Sequence, residues 1–143
     1  MIKGFTLIEM LLTLTIIALL AGLSAPIYMS FQGRNDLNVA NSVVVSSLRR
    51  AQTLARAMED DQSWGVHLES LQATIFSGKD YASRDTENDE IFVIAPTITF
   101  TGITEVVFDR FTGETSDIGG IIINSNNNDS RTITINKKGM LQY

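Results

Sequence analysis

The sequence predicts an α+β protein. A long N-terminal helix, a membrane half followed by an amphipathic half, packs on a C-terminal antiparallel β-sheet or β-sandwich head. Three observations predict this. Residues 5–28 form an apolar run in which Glu9 is the only charged residue. Residues 35–61 repeat apolar side chains at steps of three and four, the period of one helix face. Beyond residue 61 the chain breaks into short runs of β-branched and aromatic residues, separated by Gly, Asn and Pro.

The bulk composition sets the limits. The chain has 143 residues, enough for one modest domain. Its apolar content is 44% but is concentrated in the first 28 residues, so the rest builds only a small core. The formal net charge of -5 argues against general nucleic-acid binding, which needs a basic surface. The absence of cysteine excludes disulfides, thiol catalysis and thiolate metal sites.

The first element is the apolar run. As a helix, its 24 residues reach roughly 36 Å against a bilayer core of about 30 Å. Thr6, Thr13, Thr15 and Ser24 can bond back to helix carbonyls. A secretory signal peptide has a shorter apolar core, and a plain membrane anchor has no use for Glu9. A third reading uses that residue. If the chain is cut after Gly4, Phe5 carries a new amine, and Glu9 lies four residues away on the same helix face. The carboxylate can then pair with an amine of its own chain or of a neighbour. Lys3 ahead of the run favours a cytoplasmic N-terminus, which places everything after Tyr28 on the far side. Pro26 is expected to kink the helix.

The second element is the amphipathic helix. Leu37, Ala40 or Asn41, Val44, Leu48, Ala51, Ala55 and Met58 form its apolar stripe. Arg49, Arg50 and Arg56 fall largely off the stripe and read as a solvated face. The acids Glu59, Asp60 and Asp61 oppose the helix dipole, so fraying is expected there. A continuous helix from Phe5 to Met58 is about 80 Å long.

Strands are expected at 64–68, 73–76, 91–94, 98–100, 105–108, 121–123, 132–135 and 140–142. Trp64, Val66 and Leu68 share one face of the first. The sequence 124–130 is a hairpin connection. The boundaries are then 1–4 leader, 5–31 membrane or filament-core helix, 32–61 amphipathic helix and 62–143 β-rich head.

The chemistry-bearing residues are few. His67, the only histidine, falls off the apolar face of its strand and is expected to be exposed. No serine comes with a recognisable base, and no glycine loop cradles phosphate. Neither an enzyme nor a cofactor is expected. Residues 80–90 form the most acidic loop, and Asp85, Glu87 and Asp89 have the one-three-five spacing of a calcium loop. Glycine is required at the sixth position and glutamate at the twelfth, where this chain has Glu90 and Pro96. That leaves a calcium site of another geometry beside the plainer reading of a solvated acidic loop.

Lys3-Gly4-Phe5-Thr6-Leu7-Ile8-Glu9 and the apolar run behind it resemble the processing site of the type IV pilin family, which includes the type II secretion pseudopilins. Pro26 matches a proline of that family's N-terminal helix. Further segments resemble the GspH/FimT branch: Leu48-Arg49-Arg50-Ala51 through Arg56 with Val66-His67-Leu68, Val107 through Gly113, and Arg131 through Leu141. The resemblance implies cleavage after Gly4 by a membrane prepilin peptidase and N-methylation of Phe5. It implies assembly through Glu9 with other pilins or pseudopilins, from the cytoplasmic membrane into an envelope filament. Some members of the branch capture DNA, and Arg131, Lys137 and Lys138 are the candidate contacts here. The acidic balance opposes that alternative.

Overall fold

The structure is a computed structural model that describes residues 4–143, apart from the side chains of residues 23–30. It has one long helix, α1 (Leu7–Ala57), and eight strands: β1 (Trp64–Glu69), β2 (Gln72–Ser77), β3 (Asp85–Val93), β4 (Ile98–Gly102), β5 (Glu105–Phe108), β6 (Gly119–Ser125), β7 (Ser130–Ile135) and β8 (Leu141–Gln142). The chain divides into two compact units, Met1–Gln32 and Gly33–Tyr143.

In the second unit the helix packs on two antiparallel four-stranded sheets, ordered β3-β2-β1-β5 and β4-β6-β7-β8. The helical stripe supplies Leu37, Ala40, Val44, Leu48, Ala51 and Ala55, all buried. The first sheet meets it with Trp64, Val66, Leu68, Ala73, Ile75, Val106 and Phe108, the second with Ile98, Ile121, Ile123, Ile133 and Ile135. Strand alternation explains the second set. Thr132 and Thr134 point outward, while Ile133 and Ile135 point inward. Gly102 lets the chain leave β4: its φ is 84°, and a Cβ there would drive into the carbonyl oxygen of Gly120.

The helix ends where the acids begin. Ala57 is its last residue, Met58 turns left-handed at φ 56°, and Glu59–Asp61 form a single 3-10 turn. Met58 is 48% exposed, so the buried stripe stops at Ala55 and does not reach Met58 as its spacing suggested. The reason is the change of hand at Met58, which carries the chain off the stripe. The helix end is held by other means. Ala55 O accepts the Phe111 N–H at 2.9 Å, and Glu59 O accepts the indole N–H of Trp64 at 3.1 Å.

Arg49, Arg50 and Arg56 are not a plain solvated face. Arg50 makes a bidentate contact with Glu90 of β3, at 2.7 and 2.6 Å. That contact holds its guanidinium above the ordinary arginine value, chiefly by hydrogen bonding. Arg49 donates to the Tyr143 hydroxyl at 2.6 Å, next to the end of β8. Two consecutive helix residues thus reach an edge strand of each sheet. Arg56 Nε donates to Thr112 O at 3.3 Å.

The acidic loop expected at 80–90 is also different. Asp85 to Glu90 belong to β3, whose pairing with β2 shifts register between Ile75 and Ser77. Pairing overrides the poor strand propensity of these acids. Arg84 contributes by meeting Asp89 at 2.9 Å, a contact that raises the arginine's pKa, chiefly by hydrogen bonding. The Ser83 hydroxyl and N–H bond to Asp80 and hold its carboxyl below the usual range.

Two substitutions on neighbouring helix residues are expected to act in opposite directions. Leu48→Ala empties a fully buried position and should cost about 3 kcal/mol of unfolding free energy. Ser47 is also buried, but its hydroxyl has no hydrogen-bond partner among the described residues. Ser47→Ala should therefore stabilise by about 1 kcal/mol. Denaturant titration of each variant against the parent measures both.

Candidate functional site

Gly4, Phe5 and Thr6 precede the helix and are exposed, so the Gly4–Phe5 peptide lies outside regular structure. A protease needs such an accessible stretch of backbone. The helix begins two residues later. Met10 N–H donates to Thr6 O at 3.2 Å, and Glu9 N–H donates to the Thr6 hydroxyl at 3.4 Å. Thr6 is therefore an N-cap, and Thr6-Leu7-Ile8-Glu9 has the spacing of a capping box. Glu9 also sits in the first turn, where the helix dipole favours a negative charge.

The first-turn position gives the Glu9 carboxylate a local use that the sequence reading missed, although Thr-x-x-Glu was legible as a capping signal. It leaves the charge unspent. Among the described residues Glu9 makes no ion pair. The expected back-bonding is present at two of the four positions: Thr13 donates to Met10 O at 2.9 Å and Thr15 to Leu12 O at 2.8 Å, while Thr6 caps the helix instead and the Ser24 side chain lies outside the described residues.

From Leu7 to Gly22 every residue is exposed, the apolar ones included. A helix apolar on all sides requires a cover of lipid or protein. Burying Leu7, Leu11, Leu12, Leu14, Leu19 and Leu20 is worth about 2 kcal/mol each, against about 3 kcal/mol for one acid in an apolar phase. Burial therefore wins despite Glu9. Among the described residues no helix is long and apolar enough to cross a membrane. The span expected from the sequence takes in residues 23–30, whose side chains lie outside the described residues. The kink expected at Pro26 falls there too, and Lys3 of the leader is likewise outside the described residues.

Residues 1–25 match the family model described as the prokaryotic N-terminal methylation motif. The chain carries a prokaryotic N-terminal methylation motif. The motif supports a type IV pilin-like or pseudopilin-like precursor, and implies in general processing by a prepilin peptidase and assembly with other pilins. It also suggests a membrane-anchored precursor and a filament. No solved structure matches the chain.

The remaining candidates lie in the head. The DNA candidates do not form one patch. Arg131 is at the start of β7, with its guanidinium 3.4 Å from the Asn38 amide oxygen. Lys137 and Lys138 lie past the other end of that strand. The strand from Arg131 to Ile135 alone spans about 13 Å, and Lys137 lies beyond it in the turn. The calcium candidates do not converge either. Asp85, Glu87 and Asp89 lie along β3, and Asp89 is taken by Arg84. Among the described residues no group of three or more His, Asp or Glu side chains could hold a metal ion.

His67 is not free on the surface as expected. Its ring stacks on Tyr81 at 3.8 Å with the planes 7° apart, and Nδ1 lies 3.2 Å from a Glu105 carboxylate oxygen. The Arg84 guanidinium sits 3.7 Å from the centre of the same tyrosine ring. Glu105 also accepts the Tyr81 N–H at 3.0 Å. The segment 78–84 is thereby strapped across the outer side of the first sheet.

Two measurements check this picture. Tyr81→Ala should lower unfolding free energy by about 2 kcal/mol, because the ring packs on both His67 and Phe76. Chelation of calcium should leave the melting temperature unchanged, since Arg84 already occupies the Asp89 carboxylate.

Proposed function

We propose that this protein is a minor pseudopilin or minor pilin, a structural subunit with no catalytic role of its own. In this reading helix 5–31 holds the precursor in the cytoplasmic membrane with the head outside. A prepilin peptidase cuts after Gly4, the Phe5 amine is methylated, and the subunit enters a type II secretion pseudopilus or type IV pilus. The observation that carries the reading is the processing segment itself. An accessible Gly4–Phe5 bond stands two residues before a helix that is apolar on every side and carries one acid with no ion pair among the described residues.

The geometry supports a division of labour along the chain. The bond to be cut lies in irregular backbone, while the part that docks is already helical from Leu7. After cleavage Phe5 supplies a positive charge one helical turn from Glu9. A lone carboxylate buried among apolar helices is strongly unfavourable, and the same carboxylate beside an amine is tolerated. A filament core built from such helices thus favours packings in which each Glu9 meets an amine. The assignment to the GspH/FimT branch belongs to this proposal and rests on the head motifs. The DNA-capturing alternative gains nothing from the separated Arg131, Lys137 and Lys138.

Glu9→Gln separates the two uses of the residue. Glutamine keeps the capping-box geometry but removes the charge. Mass spectrometry should still find the chain cut after Gly4, while incorporation into filaments falls at least tenfold. Normal filament yield with Gln at position 9 would falsify the pairing account.

A further inference from the structure

Arg34 follows the proposed membrane helix, residues 5–31, and in that reading stands on the side where Lys and Arg are ordinarily scarce. The head is built closely around it. Gly33 is buried, and a Cβ there would overlap the Asn127 amide, so the β6–β7 turn comes down directly on the helix. The turn is fixed by its backbone. Asn126 N–H donates to Thr97 O at 3.1 Å, and Ser125 N–H donates to Asp129 O at 2.9 Å. Between helix and turn lies a cleft of about 250 Å³, lined by Arg34, Leu37, Asn38, Asp129, Ser130 and Arg131.

The two arginines of this cleft are only lightly engaged. Arg34 Nε meets Asp129 at 3.4 Å, and Arg131 Nη2 donates to the Asn38 amide oxygen at 3.4 Å. Each contact is single and long, whereas a guanidinium offers five N–H donors in a planar fork. Arg50 shows the contrast, with two short bonds to one carboxylate. Among the described residues Arg131 makes no ion pair. Asp36, the other acid nearby, accepts from the Thr97 hydroxyl at 2.9 Å and does not line the cleft. The lining side chains thus carry two positive charges against the single negative charge of Asp129. A phosphodiester monoanion balances the surplus, and its two free oxygens match the guanidinium fork.

We propose that this cleft binds the phosphodiester of an anionic phospholipid headgroup such as phosphatidylglycerol. Arg34 and Arg131 hold the phosphate oxygens, and Asn38 and Ser130 meet the headgroup hydroxyls. Binding there rests on the subunit reading above, which brings this stretch of helix to the outer leaflet of the cytoplasmic membrane, and it adds a ligand to that reading. A lipid is favoured over DNA because the cleft takes one phosphate, and the nearest free lysines lie past the other end of β7 from Arg131. The net charge of -5 also opposes a polyanion. Asp129 is the internal competitor, since the phosphate must replace it on Arg34.

The test uses the full-length chain, extracted from membranes into detergent containing equal phosphatidylglycerol and phosphatidylcholine, with retained lipid counted by native mass spectrometry. Phosphatidylcholine shares the phosphodiester but adds a cation. Retention of phosphatidylglycerol at least tenfold above phosphatidylcholine is expected. Arg34→Gln and Arg131→Gln should each lower it at least fivefold, Asp129→Asn should raise it, and Lys137→Gln should leave it unchanged. Arg34, Arg131 and Lys137 are exposed, so these substitutions do not threaten folding. Glycerophosphoglycerol, the headgroup without its acyl chains, should compete. Four outcomes overturn the site: equal retention of both lipids, retention indifferent to both arginine substitutions, displacement by inorganic phosphate as readily as by glycerophosphoglycerol, and displacement by a short DNA duplex. The third marks a soluble-anion site and the fourth a nucleic-acid site. A chain that leaves the membrane in alkaline carbonate overturns the subunit reading and this site together. A chain that stays and is cut after Gly4, yet gives one of the four outcomes, overturns the site alone.

Discussion

Burial of one helical stripe against two sheets is the constraint on which the head depends. Leu37, Val44, Leu48, Ala51 and Ala55 recur on a single face, and both sheets turn their apolar sides toward the same cluster. Neither sheet has a second layer of its own. Four short strands bury one face only when something covers it. The alanines at 51 and 55 matter as much as the leucines, since they admit close approach of strands where the helix ends. Polar contacts then fix the alignment. Arg50 to Glu90 and Arg49 to Tyr143 tie adjacent helix residues to opposite sheets.

The N-terminal segment obeys the opposite rule. Its apolar side chains surround the helix, so no arrangement within one chain covers them. The helical start is nonetheless defined locally. Thr6 caps it, and Glu9 lies where the dipole welcomes an acid. In the proposed reading one residue serves two purposes that differ in reach: a first-turn acid within its own helix, and a charge that pairs on assembly. Cleavage after Gly4, as proposed, would leave this first turn intact.

Much of the fold was legible because it rests on local periodicity. Seven of the eight strands lie close to where alternation and turn residues placed them, and the helix stops just before the acids that oppose its dipole. What the sequence hid was long-range pairing. Asp85 to Glu90 read as a loop, since acids are poor strand formers, until β2 offered its edge and Arg84 met Asp89. His67 read as exposed because its strand face is polar; the strap that covers it comes from a segment with no periodicity. The arginines at 49, 50 and 56 read as solvated because their partners lie tens of residues away.

The sequence by itself determined the processing segment and the class of fold. Both are encoded in neighbouring residues, a short motif before an apolar run in one case and hydrophobic periods of 3.6 and 2 in the other. Tertiary structure alone decided which polar residues are spent and which are free. It gave Asp89 and His67 partners and half-buried them, and set Arg131 and Lys137 toward opposite ends of a strand. It left Glu9, Lys137, Lys138 and the Ile91–Val93 face without partners in the chain's own described contacts. The physical reason is that a side chain's partner is chosen by proximity in space, and a sequence records proximity only along the chain.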